Sequence, residues 1–307
     1  VYGVSTGTFT YFVSVTDSHP TTVNSTNVTV TVNPVLQANP ITPPSPSIDS
    51  GQTINLTANP SGETNPFYLQ WYSGTSSNCS LDTAINSATE LSYSASPTSN
   101  TYYCYSITDE DSAGNVTNTS APDLVTVNPA LSVSISPTNP VLDVNQNITF
   151  TAQVSGGTPP YSYQWYSNGV AISGANQSSY TFYATSTGTT DISVTVSDSS
   201  SAGSENASAG TQVSVNPVLQ AGYPTPLSSD IDSGQTITLT ANPSGGTTPY
   251  HYQWYNYSNS TLIPNATAST YNATLTATSQ TYYYFYYIVT DSATNPVSNS
   301  TLSNQAG

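Results

Sequence analysis

The sequence predicts an all-β protein, a row of two-layered β-sandwich modules joined end to end in a rod-like array. Three observations predict it. Apolar and β-branched residues alternate with period two between Gly, Pro, Asn and Asp punctuation. The same landmarks return roughly every 90 residues. No segment carries a sustained helical period with caps.

Length and composition set the frame. The 307 residues suit about three modules of roughly 100 residues. Hydrophobic residues make up only 36%, which by itself would also suit a disordered chain, but aromatics reach 11% with 24 Tyr. Disordered chains are poor in aromatic and β-branched residues. The alternation therefore decides for a fold.

The landmarks justify the elements in turn. The first is a joint: Val32-Asn33-Pro34, Val127-Asn128-Pro129 and Val215-Asn216-Pro217 each close a strand. Proline fixes φ and interrupts the hydrogen-bond ladder, so each joint separates sheets and stiffens the hinge. The second landmark is Ile48-Asp49-Ser50-Gly51-Gln52, Leu142-Asp143-Val144-Asn145-Gln146 and Ile231-Asp232-Ser233-Gly234-Gln235, each leading into an alternating strand. The third is an aromatic strand holding Trp71, Trp165 or Trp254. In its middle copy Tyr161, Tyr163 and Trp165 share one face, which makes the indoles core residues. The fourth closes a strand on Asp17, Asp109, Asp198 or Asp291, where a carboxylate caps local backbone amides of the next turn.

Together, Tyr163-Gln164-Trp165-Tyr166, the following Gly174-Ala175 and a late Tyr-rich strand resemble the immunoglobulin-like and PKD-like repeats of large archaeal and bacterial cell-surface proteins. The resemblance spans nearly the whole chain. It implies architecture more than function, because sandwiches host many roles. The implied modules are 35–129, 130–217 and 218–307, the last lacking most of its final strand. Residues 1–34 match only the last strands of an incomplete module. Either the chain is a stretch of a longer array, or neighbouring copies complete each other by strand donation.

In such repeats the Trp strand and the strand ending at Asp109 are neighbours. A disulfide between Cys79 and Cys104 then joins them, although the antibody-type core disulfide is absent. The alternative, a redox or metal role for two isolated thiols, has no second ligand motif behind it.

Charge excludes more than it suggests. Sixteen acidic residues stand against no Lys or Arg. Nucleic-acid partners, which need phosphate neutralisation, are excluded, and anionic membrane surfaces are disfavoured. Salt bridges to Lys or Arg cannot form, so protonating the carboxylates relieves repulsion and predicts acid tolerance. No stretch reaches the length of a membrane-spanning helix.

Candidate sites are few. Asn-x-Ser/Thr sequons occur at Asn24, Asn27, Asn55, Asn78, Asn115, Asn118, Asn147, Asn176, Asn206, Asn256, Asn259, Asn265, Asn272 and Asn299, in a composition that itself generates many. N-linked glycans there supply the solubility that charge does not. Tyr282, Tyr284 and Tyr286 form a possible contact surface opposite a core face of Phe285 and Val289. Asp109-Glu110-Asp111 starts like a calcium loop but has Ala113 and Ser120 where ligands belong, so it reads as a turn, as do Asp230 and Asp232. His19 and His251 lack metal-ligand partners by spacing. No catalytic motif or cofactor fingerprint appears, and a singular active site fits poorly with repetition.

The sequence thus reads as a glycosylated, extracellular structural component of a cell-surface filament, stalk or surface layer, associating with itself or other surface proteins. An adhesin or glycan-binding module is the competing class, and a spacer of a large secreted enzyme the third.

Overall fold

The computed structural model describes residues 5–62, 66–110, 114–257, 259–294 and 298–299. It is built of strands, with one 3₁₀ turn at Cys79–Leu81 among the described residues. The chain divides into two compact units. The first holds residues 1–132 with the turns 155–161 and 197–206, and the second holds the rest.

In the first unit, the three-stranded sheet Ser92–Ala95, Ile54–Ser61, Gln37–Thr42 faces a larger sheet. That one runs Ser47–Asp49, Asp123–Asn128, Thr101–Asp109, Phe67–Gly74, Thr83–Ala84, with Val116–Thr119 also paired to Thr101–Asp109. Ser47–Asp49 joins in parallel, with Ile48 opposite Val127. Alternation sets the core: Ile54, Leu56 and Ala58 from one sheet meet Leu69, Trp71, Tyr103, Tyr105, Ile107 and Val125 from the other. Residues 7–32 form a separate ladder, Gly7–Tyr11 with Val28–Val32 and Ser14–Thr16 with Thr22–Asn24. Its Phe12, Val13, Val15, Val23 and Val28 are exposed.

The second unit repeats the plan. The sheet Ser132–Ser136, Asn147–Ser155, Ser179–Tyr183 accompanies Val141–Asp143, Asn206–Asn216, Gly188–Ser197, Ser162–Ser167, Val170–Ala171. Val141–Asp143 again joins in parallel, to Asn206–Asn216. Further on, Thr236–Thr240 pairs with Thr270–Thr274. The order Thr261–Leu262, His251–Asn256, Phe285–Thr290, Ser298–Asn299 makes the other sheet, over a core of Leu219, Leu239, Trp254, Phe285, Tyr287 and Val289.

The recurring Gln-Trp pair has a mechanical reason. Each indole is fully buried, and its N–H donates to a backbone carbonyl: Trp71 to Glu90, Trp165 to Gln177, Trp254 to Ala268. The glutamine before it spans the strand edge. Gln164 Nε2 donates to the carbonyls of Trp165 and Ile172, and Gln70 and Gln253 do the same with Ile85 and Ile263. Buried donors are thereby satisfied, as burial demands.

Candidate functional site

Among the described residues, the most elaborate polar constructions lie at two of the Asn-Pro joints. In the first unit Asn128 Nδ2 donates to Thr158 Oγ1 at 2.8 Å, and Thr158 Oγ1 donates to Asp49 Oδ1 at 2.8 Å. The Thr158 N–H donates to Asp198 Oδ2 at 3.1 Å. One threonine therefore holds two carboxyl groups, each under 5% exposed. In the second unit Asn216, Thr247, Asp143 and Asp291 repeat the arrangement, at 2.9, 3.0 and 3.3 Å.

The backbone around each threonine is locked. Gly157 N–H donates to the Pro129 carbonyl at 2.8 Å and Gly246 N–H to the Pro217 carbonyl at 2.7 Å. Gln52 Oε1 accepts the Asp49 N–H at 2.9 Å, and its Nε2 reaches the Gly203 carbonyl at 2.9 Å. Ser47 and Ser201 exchange bonds, while Ala202 packs against the first core. At the second joint Val141 and Thr294 exchange bonds in the same way.

Glycine is required beside each joint. Gly156 and Gly245 have φ of +67° and +66°, and a Cβ there would overlap the carbonyl oxygens of Ala130 and Val218. Steric overlap adds to the cost of a left-handed backbone. Gly156→Ala is expected to destabilise by about 1–3 kcal/mol or more. Urea denaturation checks this; an unchanged midpoint would contradict the close approach.

Electrostatics at the joints departs from simple repulsion. Burial raises Asp49 to about 6, helped by its hydrogen bond with Asp198. Burial likewise raises Asp143 to about 7, helped by Asp291. Burial opposes the charge on Asp198, but the bond from Asp49 and the N–H groups of Glu205, Thr158 and Ser200 outweigh it and hold that carboxyl below its ordinary value. The third member of the series, Asp232, is exposed.

The strand-closing aspartates cap local backbone, as their positions predict: Asp17 Oδ1 accepts the His19 and Thr21 N–H groups, and Asp109 accepts that of Val116. Not predicted from the sequence is that Asp198 and Asp291 also face a second buried carboxyl. The recurrence of Asp49 and Asp143 in the second landmark was the available signal, and it names no partner. Of the acidic cluster after Asp109, residues 111–113 lie outside the described residues.

Cys79 and Cys104 form a disulfide, with Cα atoms 6.3 Å apart. Asp82 lies beside it, 3.7 Å from Cys104 Sγ. The three groups converge as a metal site would, but both sulfurs are committed to the bridge. Most of the sequon asparagines are exposed. Asn118 and Asn256 are half-buried, and the Asn299 side chain lies outside the described residues.

The tyrosine run differs from expectation. The strand begins at Phe285, so Tyr282 and Tyr284 precede it and do not share a strand face with Tyr286. Tyr282 is 63% exposed. Tyr286 is half-buried and stacks on Tyr255 at 4.9 Å between ring centroids.

An immunoglobulin-domain family model matches residues 131–204. Three N-terminal domains of the bacteriophage RB49 Highly Immunogenic Outer Capsid protein are similar in structure. The likeness has a TM-score of 0.51 and 17% identity, covering 82% of this chain and 91% of that one. The titin I-band fragment I67–I69 gives a TM-score of 0.40 and 13% identity, over 86% of this chain and 94% of that one. No curated protein matches in sequence. The chain has the fold of tandem immunoglobulin-like β-sandwiches.

Proposed function

We propose that this chain is a glycosylated structural segment of a cell-surface filament, stalk or surface layer, working outside the cell. The module boundaries are those read from the sequence, at 34/35, 129/130 and 217/218. The observation that carries this reading is repetition of the joint: the two copies that lie within the described residues use the same Asn, Thr, Asp and Gly contacts. A device that ties the Asn-Pro end of a strand to the turns that follow it, recurring among the described residues, suits a load-bearing or spacing role, because tandem modules otherwise default to relative motion.

The joints support semi-rigid spacing. Self-association or contact with other surface proteins is the expected partner class, and the exposed ladder of residues 7–32 suits pairing by strand donation. Electron microscopy of the native particles tests the reading. Regular order along the chain axis is expected, and isolated molecules that capture glycans on an array would replace it with an adhesin. That second reading draws on exposed Tyr68, Tyr183, Tyr223 and Tyr282. Peptide mass mapping after enzymatic deglycosylation is expected to show shifts at the exposed sequons; an unmodified map would remove the glycoprotein part.

A further inference from the structure

We propose that each joint is closed by a proton shared between two aspartates, Asp49 with Asp198 and Asp143 with Asp291, so that the joint tightens in acid and loosens in base. This goes beyond the surface role and holds whatever the array is attached to.

The argument starts from an accounting of donors. Asp49 is fully buried and Asp143 is 3% exposed. Each spends Oδ1 on the threonine hydroxyl, and each leaves Oδ2 buried with no N–H or O–H reaching it. What faces Asp49 is the carboxyl of Asp198, itself an acceptor from the Thr158, Glu205 and Ser200 N–H groups. What faces Asp143 is the carboxyl of Asp291, which accepts from the Thr247 N–H. An acceptor against an acceptor in a buried site is unfavourable until a proton sits between them.

Nothing in the chain supplies a fixed positive charge, since Lys and Arg are absent. Of other charged groups, Glu205 acts on Asp49 and adds repulsion. His251 lies on the strand opposite Thr290 and is exposed. A proton on Asp49 Oδ2 donates to Asp198, leaving the pair with one negative charge held by three backbone N–H groups. The Asp143 pair shares its proton in the same way with Asp291, which accepts from the Thr247 and Ala293 N–H groups. Loss of that proton places a second charge in each site with no Lys or Arg to neutralise it.

The direction of the pH effect follows. Asp49 and Asp143 are raised in the fold, to about 6 and about 7, above their ordinary value of 3.8. Their stabilisation is complete below that ordinary value and is lost as pH rises through the raised values. Asp198 works oppositely, but only at pH below its ordinary value.

Two measurements on the full chain test the proposal. In carbon-13 NMR with labelled aspartate, two carboxyl resonances are expected to titrate with midpoints near 6 and 7, assigned to Asp49 and Asp143. All aspartates titrating near their ordinary value would overturn it, whether or not any variant folds. The melting temperature is expected to fall between pH 4 and pH 8, and Asp49→Asn/Asp143→Asn, which puts a permanent N–H in place of the proton, to flatten that slope. An unchanged slope in the double variant would overturn the proposal. So would calcium chloride raising the melting temperature at pH 8 in the parent and not in the double variant, because the pair would then be a cation site.

Discussion

Trp165→Ala is expected to destabilise its sandwich by about 3–5 kcal/mol, the range for truncating a fully buried aromatic. The indole has no exposed surface and sits 6.5 Å from the Phe150 ring and 5.8 Å from the Tyr180 ring, centroid to centroid. Its removal leaves a cavity between the two sheets and takes away the donor to the Gln177 carbonyl, held at 2.9 Å. Both losses act together: the cavity forfeits contacts on all sides, and the carbonyl loses its partner in a place water reaches poorly. A single domain has about 5–15 kcal/mol in total, so most of the margin of that sandwich disappears. Urea denaturation followed by far-ultraviolet circular dichroism measures it. A loss below about 1 kcal/mol would mean the ring is not the hub the packing makes it. The same substitution at Trp71 or Trp254 should act similarly, since both are equally buried and equally bonded.

The tryptophans were legible because two signals agreed at one place. Period two set the face, and recurrence removed the accident of a single match. The edge-spanning role of the glutamine before each indole emerged only from the fold. The tyrosine run at 282–287 was legible in part. Its expected core face holds: Phe285 and Val289 are buried, with Tyr287 between them. Its outer face does not, because alternation carries no phase where every position is aromatic, and sequence could not tell where the strand began. Tyr283, just before the strand, packs against the core around Trp254, and its hydroxyl donates to the Thr276 carbonyl.

Charge was legible in sign but not in placement. The absence of Lys and Arg is plain in the composition, so no buried carboxylate can pair with either. The Asp49 and Asp198 pairing is invisible there, because the two residues are far apart in sequence and each reads locally as a turn. Only the parallel strand Ser47–Asp49, held against Asp123–Asn128, carries Asp49 to the end of its sandwich, where Thr158 can reach it. A local signal cannot report a contact that depends on which end of a sheet a strand joins.

Breaking the disulfide should unfold one sandwich selectively. Cys79 and Cys104 are 25 residues apart, and closing a loop of that length removes about 3.5 kcal/mol of unfolded-state entropy on the chain model. The anchor points are sound on the folded side. Cys104 is fully buried on Thr101–Asp109, opposite Tyr72 of the Trp71 strand, and Cys79 opens a 3₁₀ turn capped by Asn78. Cys104→Ala also removes a buried group, so its effect should equal or exceed that of reduction alone. The chain carries its own control: no other cysteines exist, so the tryptophans at 165 and 254 sit in sandwiches that reductant leaves covalently unchanged. Calorimetry with and without reductant should show one transition moving down while the others hold. A uniform shift of every transition would mean that the joints transmit the loss from sandwich to sandwich. No shift at all would mean that the bridge closes a loop already ordered in the unfolded chain.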